Sequence, residues 1–398
     1  MPSPSPARAQ AVLVTQGTAG DVLPFAALAR ELVGLGCPTS VITHSPYRQL
    51  VESCGAVFVA NDRPGQYEHY LSAMGAMLDL RPSTLADFYE DAGLFQLFET
   101  ELDALVDICD GHSVIVGHHT CALSARVGAE VAGARYASMV LEPSHFGAAA
   151  ATGMFFSKGV GARLNDYRNR YGLGQVVKWG TWLAQASLVG AMWPPWFDRA
   201  GTRAPEPVLL AGFPYGDDLM PRRTGTEDGE AGRAGPRPPV VISGGTSRLL
   251  NPKFYDIAVA GIADAGLAAT VVAPWPDLVP ALPPGFRVET ATSRGWLDGA
   301  RLVVHAGGIG TVARAAKDRV PQLVLADGVG RPDNAGRVQA AGIGTRLLAK
   351  DWSARTVADA ALACIGLQPT WPDDQVTSGG AARSVAEHCV ELFASSPE

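Results

Sequence analysis

The feature that most constrains this chain is an apolar stretch that runs directly into a glycine-rich turn and then into an amphipathic stretch. The first copy reads AVLVTQGTAGD, and apolar residues such as Phe25, Leu28 and Leu32 follow it at helical spacing. A later copy, residues 303–338, reads VVHAGGIGTVARAAKDRVPQLVLADGVGRPDNAGRV. A strand that ends in such a turn and enters a helix is the building unit of a parallel sheet. The sequence therefore predicts an α/β fold.

The same pattern divides the chain into two predicted domains. At 398 residues the chain is longer than one hydrophobic core usually organises, and PVVISGGTSR, residues 239–248, restarts the strand-and-turn pattern. We predict two Rossmann-like, doubly wound parallel-sheet domains that face a central cleft, with ligands at the carboxyl ends of the strands. The predicted boundaries are 1–219 for the first domain, 220–239 for a polar linker, 240–375 for the second domain and 376–398 for a terminal helix that packs back on the first domain.

Composition and charge exclude several classes of protein. Hydrophobic residues make up 47% of the chain and charged residues 18%, which is typical of a soluble globular protein. The formal net charge of −7 gives no general attraction to nucleic acid. The six cysteines are scattered without a CxxC pair, which favours reduced thiols in a cytoplasm over a zinc site or a disulfide framework. Since no segment approaches about 18 uninterrupted apolar residues, we expect neither a membrane span nor export.

The turn HAGGIGT, residues 305–311, is predicted to hold an anion. Its three glycines allow the backbone to turn tightly and to approach a ligand closely, and Thr311 begins a helical stretch. Free amides at a helix start, together with the helix dipole, hold a phosphate or diphosphate without net positive charge. Tight turns need glycine in any case, so these residues alone leave a purely structural interpretation open.

Three stretches resemble glycosyltransferase family 1, the nucleotide-sugar-dependent enzymes of the GT-B fold. Residues 303–338 are similar to the bacterial form of the family's donor-binding signature. The amino-terminal VLVTQGTAGDVLPFAALARELVGLG resembles the opening of antibiotic, natural-product and sterol glycosyltransferases, with Gly-Asp-Val where many relatives have Gly-His. LNDYRNRYGLG, residues 164–174, resembles a segment from the end of the first domain. The matches lie in both predicted domains and in the family's order.

The resemblance implies an inverting transfer with Asp21 as the general base. In such a transfer the base takes the proton of an acceptor hydroxyl, which attacks the anomeric carbon and expels the nucleoside diphosphate. Asp21 matches the family's base in the loop after the first strand, and general base catalysis is worth roughly 10²- to 10⁴-fold. Position alone favours a helix cap, because Asp21 precedes a first turn that contains Pro24.

Other polar residues at predicted strand ends are candidates for the acceptor site. The motif GHHT, residues 117–120, follows a first-domain strand, and one of its two histidines is expected simply to pack. His119 is predicted to assist Asp21. The predicted acceptor contacts are Thr18, His118, Glu142 and His145.

The donor site carries over from the resemblance residue by residue. His305 matches a strand-end histidine that contacts the diphosphate, Asn334 matches the asparagine of the closing motif, and the indole of Trp296 is equally compatible with the core. The donor is expected to be a UDP- or TDP-sugar, with no metal ion and no further cofactor. The predicted donor-binding residues are Gly245, Thr246, Ser247, Trp296, His305, Gly307, Gly308, Gly310, Thr311, Arg331 and Asn334.

The signature also departs from the family's pattern. Ala306 replaces the second histidine of relatives, and Arg314 stands where a ribose-binding glutamate is common. Gly330 and Arg331 occupy the place of the Asp-Gln pair that reads glucose hydroxyls. Loss of these polar groups is compatible with a deoxysugar, because a buried carboxylate without a hydroxyl partner is costly. The two arginines are alternatively surface charges or contacts for further phosphate or a sugar carboxylate.

The sequence thus predicts a cytoplasmic transferase, monomeric or homodimeric, that moves a sugar to a small apolar natural-product acceptor. Attack by oxygen and attack by an aromatic carbon are both open. A catalytically inactive helper protein with the same fold and a sterol or lipid glycosyltransferase are the alternatives. A dinucleotide-dependent oxidoreductase is disfavoured, because GTAGD lacks the GxGxxG spacing and its aspartate would repel phosphate.

Overall fold

The computed structural model describes residues 9–79, 81–216, 219, 239–290, 294–371 and 380–394. The chain forms two compact units. Unit 1 contains Met1–Trp193, Ala204–Pro214 and Gly379–Glu398, and unit 2 contains Pro194–Arg203 and Tyr215–Ser378. The predicted linker, 220–239, lies outside the described residues except for its last position. No helix in the described part of the chain is both long and apolar enough to cross a membrane.

Unit 1 is built on a seven-stranded sheet in the order β3-β2-β1-β4-β5-β6-β7, and every pairing is parallel. Its strands are β1 (Gln10–Val14), β2 (Thr39–Thr43), β3 (Val57–Ala60), β4 (Ser113–His118), β5 (Arg135–Val140), β6 (Leu188–Ala191) and β7 (Leu209–Leu210). Its helices are α1 (Ala19–Gly34), α2 (Arg48–Ser53), α3 (Gln66–Ala73), α4 (Leu85–Asp91), α5 (Leu94–Ile108), α6 (Leu123–Ala132), α7 (Ser144–Gly147), α8 (Ala149–Lys158), α9 (Gly161–Arg170), α10 (Trp179–Ala184) and α16 (Ala381–Ala394).

Unit 2 repeats this architecture with a six-stranded parallel sheet in the order β10-β9-β8-β11-β12-β13. Its strands are β8 (Val240–Ser243), β9 (Ala269–Val272), β10 (Arg287–Glu289), β11 (Leu302–His305), β12 (Gln322–Ala326) and β13 (Gly344–Leu348). Its helices are α11 (Pro195–Arg199), α12 (Phe254–Asp264), α13 (Ile309–Lys317), α14 (Arg331–Ala340) and α15 (Ala354–Ile365). The prediction of two doubly wound, parallel-sheet domains is confirmed.

Alternating side chains of the central strand explain why helices cover both faces of the first sheet. Ala11 and Leu13 of β1 lie in one hydrophobic cluster, whereas Val12 and Val14 lie in another. Successive side chains of a strand point to opposite faces, so a strand that is apolar at every position needs cover on both sides. The sequence AVLV therefore requires the layered arrangement that the structure has.

The segment 194–203 belongs to unit 2 because a buried arginine binds its backbone. Arg337 of α14 donates hydrogen bonds to the carbonyl oxygens of Phe197 at 3.0 Å, Asp198 at 2.9 Å and Thr202 at 2.7 Å. Its Nε also pairs with Asp333 at 2.8 Å. The three bonds to the segment 194–203 join residues more than 130 positions apart, and no local pattern in the sequence indicates them.

The terminal helix α16 completes one face of the sheet in unit 1. Ala381, Val385, Ala386 and Cys389 are buried in the same cluster as Leu13 of β1. A Cβ atom added to Gly190 of β6 would lie 3.3 Å from Cγ2 of Val385, so α16 packs closely on the sheet.

We expect Val385→Ala to lower the free energy of unfolding of unit 1 by about 1–3 kcal/mol, because it removes a fully buried side chain from this contact. The matched control is Glu387→Gln on the same helix, which breaks an exposed ion pair with Arg383 and is expected to change stability by less than about 0.5 kcal/mol. Thermal unfolding of both variants checks this expectation. Equal effects would show that α16 does not contribute to the core.

Candidate active site

In unit 1 the predicted site residues lie where the strand order reverses. The chain runs outward from β1 to β3 on one side and from β4 to β7 on the other, so β1 and β4 are neighbours at the switch. Asp21 follows β1, His119 follows β4 and Glu142 follows β5. The carboxyl ends of parallel strands share one edge, and ligands bind at such a switch in open α/β sheets.

Asp21 is held at the start of α1 by Thr18. Its Oδ2 accepts hydrogen bonds from the Thr18 backbone amide at 2.8 Å and from the Thr18 hydroxyl at 3.2 Å. Burial raises the pKa of Asp21 from 3.8 to about 6, and the bonds from Thr18 oppose this rise. Among the described residues, no hydrogen bond reaches Oδ1. Asp21 is therefore not the N-cap that its position suggested: it is the third residue of α1 and closes a capping box with Thr18, which is the N-cap.

Gly17 allows this carboxylate to approach the backbone. Its φ of +123° lies in the region that favours glycine, and a Cβ at this position would lie 2.3 Å from Oδ2 of Asp21. Thr15 supports the same turn, because its hydroxyl donates to the carbonyl oxygen of Asp21 at 3.2 Å. The glycine of QGT is thus required by close approach as well as by the turn.

Aromatic side chains that the sequence analysis did not single out surround this loop. Tyr67 donates to the carbonyl oxygen of Gly17 at 3.3 Å, and its hydroxyl lies 2.9 Å from that of Tyr47. His44 is buried, with its ring 4.7 Å from that of Tyr67. Polar aromatic residues scattered through an irregular stretch carry no spacing signal, which explains why pattern analysis missed them.

The histidines near Asp21 are uncharged at neutral pH. Burial lowers the pKa of both His118 and His119 to about 3. His118 Nδ1 lies 3.4 Å from the Thr15 hydroxyl, and His119 Nδ1 lies 2.9 Å from the Ser138 hydroxyl. A general base works best when its pKa lies near the working pH, so Asp21 is better suited to this role than His119.

Glu142 and His145 form a further polar pair beside His119. Nε2 of His145 lies 3.8 Å from Oε1 of Glu142, and the rings of His119 and His145 are 5.7 Å apart. Burial lowers the pKa of His145, while the Glu142 carboxylate opposes the shift. The structure thus brings together all six residues predicted for the base and the acceptor: Thr18, Asp21, His118, His119, Glu142 and His145.

A buried glutamate beneath the β1–α1 loop was also missed. Glu101 of α5 is fully buried, and both of its oxygens accept hydrogen bonds from Gln16 Nε2 at 2.9 Å. The sequence did contain a signal, because Glu101 occupies the apolar face of a helix whose neighbouring turns carry Leu97, Leu102 and Leu105. A carboxylate on a buried helix face needs polar partners.

In unit 2 the glycine turn follows β11, again at the switch between two halves of a sheet. His305 Nε2 donates to Oε1 of Gln322 at 3.0 Å, and its Nδ1 accepts from the amide of Gly307 at 3.1 Å. Burial lowers the pKa of His305 to about 4, so the ring is neutral, with its proton on Nε2. Both ring nitrogens are engaged within the protein, so His305 lies beneath the turn as a support and offers no nitrogen to a ligand.

The start of α13 provides three backbone amides, those of residues 308–310, that have no acceptor in the described part of the chain, whereas the amide of Thr311 donates to the carbonyl oxygen of Gly308 at 3.1 Å. Gly308 is its N-cap, and Gly308 and Gly310 are exposed while Ile309 and Thr311 are half-buried. The first amides of any α-helix lack partners within the helix, and they favour an anion. Asn334 fixes the turn from below, because its Nδ2 donates to the carbonyl oxygen of Gly307 at 3.0 Å.

The loop after β8 lies beside this turn. Ser243 pairs with His305 in register, so the segments that follow the two strands leave the sheet as neighbours. Gly245 has a φ of +86°, and Trp275 donates to the carbonyl oxygen of Thr246 at 3.1 Å. The hydroxyl of Ser247 accepts from the amide of Leu249 at 3.0 Å. All of the predicted donor residues except Trp296 therefore lie at one edge of the sheet.

Trp296 and two arginines of the signature have partners within the protein. The indole of Trp296 packs in the core against Val241, Val272 and Val303, as the alternative interpretation had it. Arg314 pairs with Asp318 at 2.6 Å on its own helix. Arg331 opens α14, and its guanidinium donates to the carbonyl oxygen of Leu249 in the loop after β8.

No cluster of three or more histidine, cysteine, aspartate or glutamate residues in the described part of the chain could hold a metal ion. The side chains near Asp21 include carboxylates and imidazoles, but their partners are hydroxyls, amides and each other. Unit 1 thus offers acid–base groups at its sheet switch, and unit 2 offers backbone amides at its own.

A pair of adjacent glycines tests the geometry of the turn in unit 2. Gly307 has a φ of +92°, and a Cβ there would lie 3.1 Å from both the Arg331 carbonyl oxygen and Val324 Cγ1. Gly308 has a φ of −62°, and a Cβ there would meet nothing within 4 Å. We expect Gly307→Ala to destabilise unit 2 by roughly 1–3 kcal/mol, and Gly308→Ala to leave its thermal unfolding nearly unchanged. Equal effects of the two substitutions would contradict the geometry of this turn.

Comparison with known proteins agrees with this architecture. Residues 257–387 match the family described as "Erythromycin biosynthesis protein CIII-like, C-terminal domain". A search of curated protein sequences finds no significant match. The solved glycosyltransferase of kitacinnamycin aligns with a TM-score of 0.71 at 16% identity and covers 97% of this chain and 100% of its own.

Two further solved structures give similar alignments. SnogD from Streptomyces nogalater aligns with a TM-score of 0.61 at 18% identity and covers 98% of this chain and 96% of its own. The glycosyltransferase VinC in complex with dTDP has a TM-score of 0.59 at 16% identity, with coverage of 98% and 96%. The chain therefore has the GT-B fold of natural-product glycosyltransferases, which it resembles over nearly its whole length.

Proposed function

We propose that this protein is an inverting glycosyltransferase that moves a sugar from a nucleoside diphosphate to a hydroxyl of a small apolar natural product. The observation that carries the proposal is the Asp21 carboxylate, which is fixed at the sheet switch of unit 1 with a pKa raised by burial to about 6. A carboxylate with this pKa is ionised at neutral pH and is still basic enough to accept a proton in a transition state.

Unit 1 supplies the acid–base chemistry of this reaction. The open Oδ1 of Asp21 takes the proton of the acceptor hydroxyl while the acceptor oxygen bonds to the anomeric carbon. The bond from that carbon to the diphosphate oxygen breaks, and the nucleoside diphosphate leaves with the electron pair. The neutral histidines 118, 119 and 145 are suited to hydrogen bonds with the acceptor, because a charged imidazolium would lower the basicity of Asp21.

Unit 2 supplies the stabilisation of the leaving group. Charge develops on the diphosphate as the glycosidic bond breaks, and preorganised amides at the start of α13 stabilise such charge without reorganisation. His305 and Asn334 act on the ligand indirectly, by holding Gly307 in its turn. The amides of residues 308–310 are therefore proposed as the direct diphosphate contacts, together with the loop 245–247.

The donor is proposed to be a TDP-sugar or a UDP-sugar. The aligned structure of VinC holds dTDP, which favours thymidine. The Gly330–Arg331 pair replaces side chains that would read sugar hydroxyls, so a deoxysugar is the favoured class. A cytoplasmic location, and a monomeric or homodimeric state, belong to the same proposal.

Substitution of the base tests the proposal directly. We expect Asp21→Asn to keep the affinity for nucleoside diphosphate, measured by calorimetry, while turnover of a sugar nucleotide falls by roughly 10²- to 10⁴-fold. Unchanged turnover would reduce Asp21 to a helix cap. Binding of nucleoside diphosphates by the wild-type protein without turnover, across a broad panel of donors and acceptors, would instead indicate the helper protein.

The pH dependence of kcat/KM gives a second test. The ionised form of Asp21 is the proposed base, so we expect kcat/KM to fall about tenfold per pH unit below pH 6. The midpoint of this fall reports the pKa of Asp21 in the free protein. Thr18→Ala is the matched variant, because it removes the hydroxyl bond that lowers the pKa of Asp21 but keeps the carboxylate. Its acid limb should move to higher pH, whatever plateau kcat/KM reaches above the limb. A limb that stays in place would assign the titration to another group.

Donor choice is expected to depend on Arg331. The double variant Gly330→Asp with Arg331→Gln restores the family's hydroxyl-reading pair, and it should shift preference toward hexoses that carry more hydroxyls. The ratio of kcat/KM for a TDP-hexose to that for a TDP-deoxyhexose measures the shift. An identical ratio in the wild-type protein and the variant would exclude this pair from sugar recognition.

A further inference from the structure

Glu101 is a buried carboxyl group that the proposed reaction does not use. It lies on α5 and is fully buried. Its oxygens accept hydrogen bonds from Gln16 Nε2 at 2.9 Å, from Asn61 Nδ2 at 2.7 Å and from the hydroxyl of Ser124. These partners come from the ends of β1 and β3 and from the first turn of α6. One side chain therefore ties three elements together at the edge of the sheet that carries Asp21.

The composition of this network is unusual for a packing contact. The hydrogen-bond partners of Glu101 are neutral donors, and no lysine, arginine or histidine in the described part of the chain pairs with it. Burial raises the pKa of Glu101 to about 7 in spite of these donors. A buried carboxyl group without a cation is costly, and apolar residues of similar volume often fill such a position more stably. We therefore looked for a role of Glu101 other than filling the core.

Glu101 is connected to Asp21 through hydrogen bonds to the two ends of the short segment 16–18 in the β1–α1 loop. Gln16, bound by Glu101, is followed by Gly17, whose carbonyl oxygen accepts from Tyr67. The next residue, Thr18, gives both its amide and its hydroxyl to the Asp21 carboxylate. Only Gly17 lies between Gln16, which Glu101 binds, and Thr18, which binds Asp21, so a shift of Gln16 is passed directly to Thr18.

We propose that Glu101 is a positioning residue for Asp21, which it orients by holding Gln16 at the start of the loop that binds the Asp21 carboxylate. This inference rests on the role proposed for Asp21 as general base. Misplacement of a reacting group by about 1 Å costs on the order of 10²-fold in rate, so the loss of the anchor should appear in turnover.

A double-mutant cycle separates this role from a merely structural one. In Glu101→Gln one acceptor oxygen becomes an amide nitrogen, and Gln16 Nε2, which donates to both oxygens, then faces a donor in either orientation of the new amide. We expect kcat to fall roughly 10- to 100-fold while KM for the sugar nucleotide stays unchanged, because the donor binds to unit 2. In the Asp21→Asn background the same substitution should change turnover by less than about twofold, since it acts through the group already removed.

Glu130→Gln is the matched control. Glu130 lies on α6 of the same unit and pairs with Arg168 at 2.7 Å and with the indole of Trp182 at 2.6 Å, away from the loop. It should lower thermal stability without changing the kcat of the folded protein. A loss of turnover in Glu101→Gln that is the same with and without Asp21, or that Glu130→Gln reproduces, would overturn the proposal.

Two further measurements keep the inference testable on its own. Gln16→Met breaks the link while Glu101 keeps Asn61 and Ser124, and it should reproduce the fall in kcat even if Glu101→Gln folds poorly. Hydrogen exchange of the amides in residues 15–22 should increase in Gln16→Met and in Glu101→Gln, but not in Glu130→Gln. This readout needs no activity, so it still decides the role of Glu101 if no donor is turned over. Unchanged exchange in this segment would contradict the anchor.

Discussion

Two hydrogen bonds from Thr18 to one oxygen of Asp21 are the interaction on which the account of unit 1 depends. They close the first turn of α1, and they fix the direction of the carboxylate at the switch of the sheet. The close approach explains the glycine at position 17, and burial explains the raised pKa. Stability of the helix start and orientation of a base are thus two consequences of one contact.

Unit 2 has the same strand–turn–helix element, but it presents hydrogen-bond donors where unit 1 presents a carboxylate. There a strand also ends in a glycine turn before a helix, but the groups at the helix start are amides, and the side chains beneath them are neutral. Gln322 sets the tautomer of His305, and His305 in turn accepts from Gly307. The turn is therefore held by a chain of hydrogen bonds that begins at Gln322 in β12.

Local patterns were sufficient to predict the parts of the molecule that local geometry determines. The strand–turn–helix units at Asp21 and at Gly307 could be predicted because apolar runs, glycines and helical spacing occur within a few residues of each other. The position of segment 194–203 could not, since it depends on Arg337, which is distant in sequence. The sequence suggested that His305 contacts the diphosphate directly. It could not show that both ring nitrogens of His305 are bonded within the protein.

Glu101 marks an intermediate case. Its place on the apolar face of α5 was visible in the sequence, but the partners that explain it come from three separate elements. The predicted roles of the remaining site residues stay predictions until a ligand is bound. Their arrangement at two sheet switches agrees with the GT-B architecture of the aligned structures.

The central claim is that backbone amides at the start of α13 hold a nucleoside diphosphate. A crystal structure of the protein with TDP or UDP tests this claim most directly. We expect both phosphates within hydrogen-bond distance of the amides of residues 308–310, with His305 still bonded to Gln322 and Gly307. A diphosphate that binds elsewhere, or that reaches its site only by displacing His305 from these partners, would contradict it.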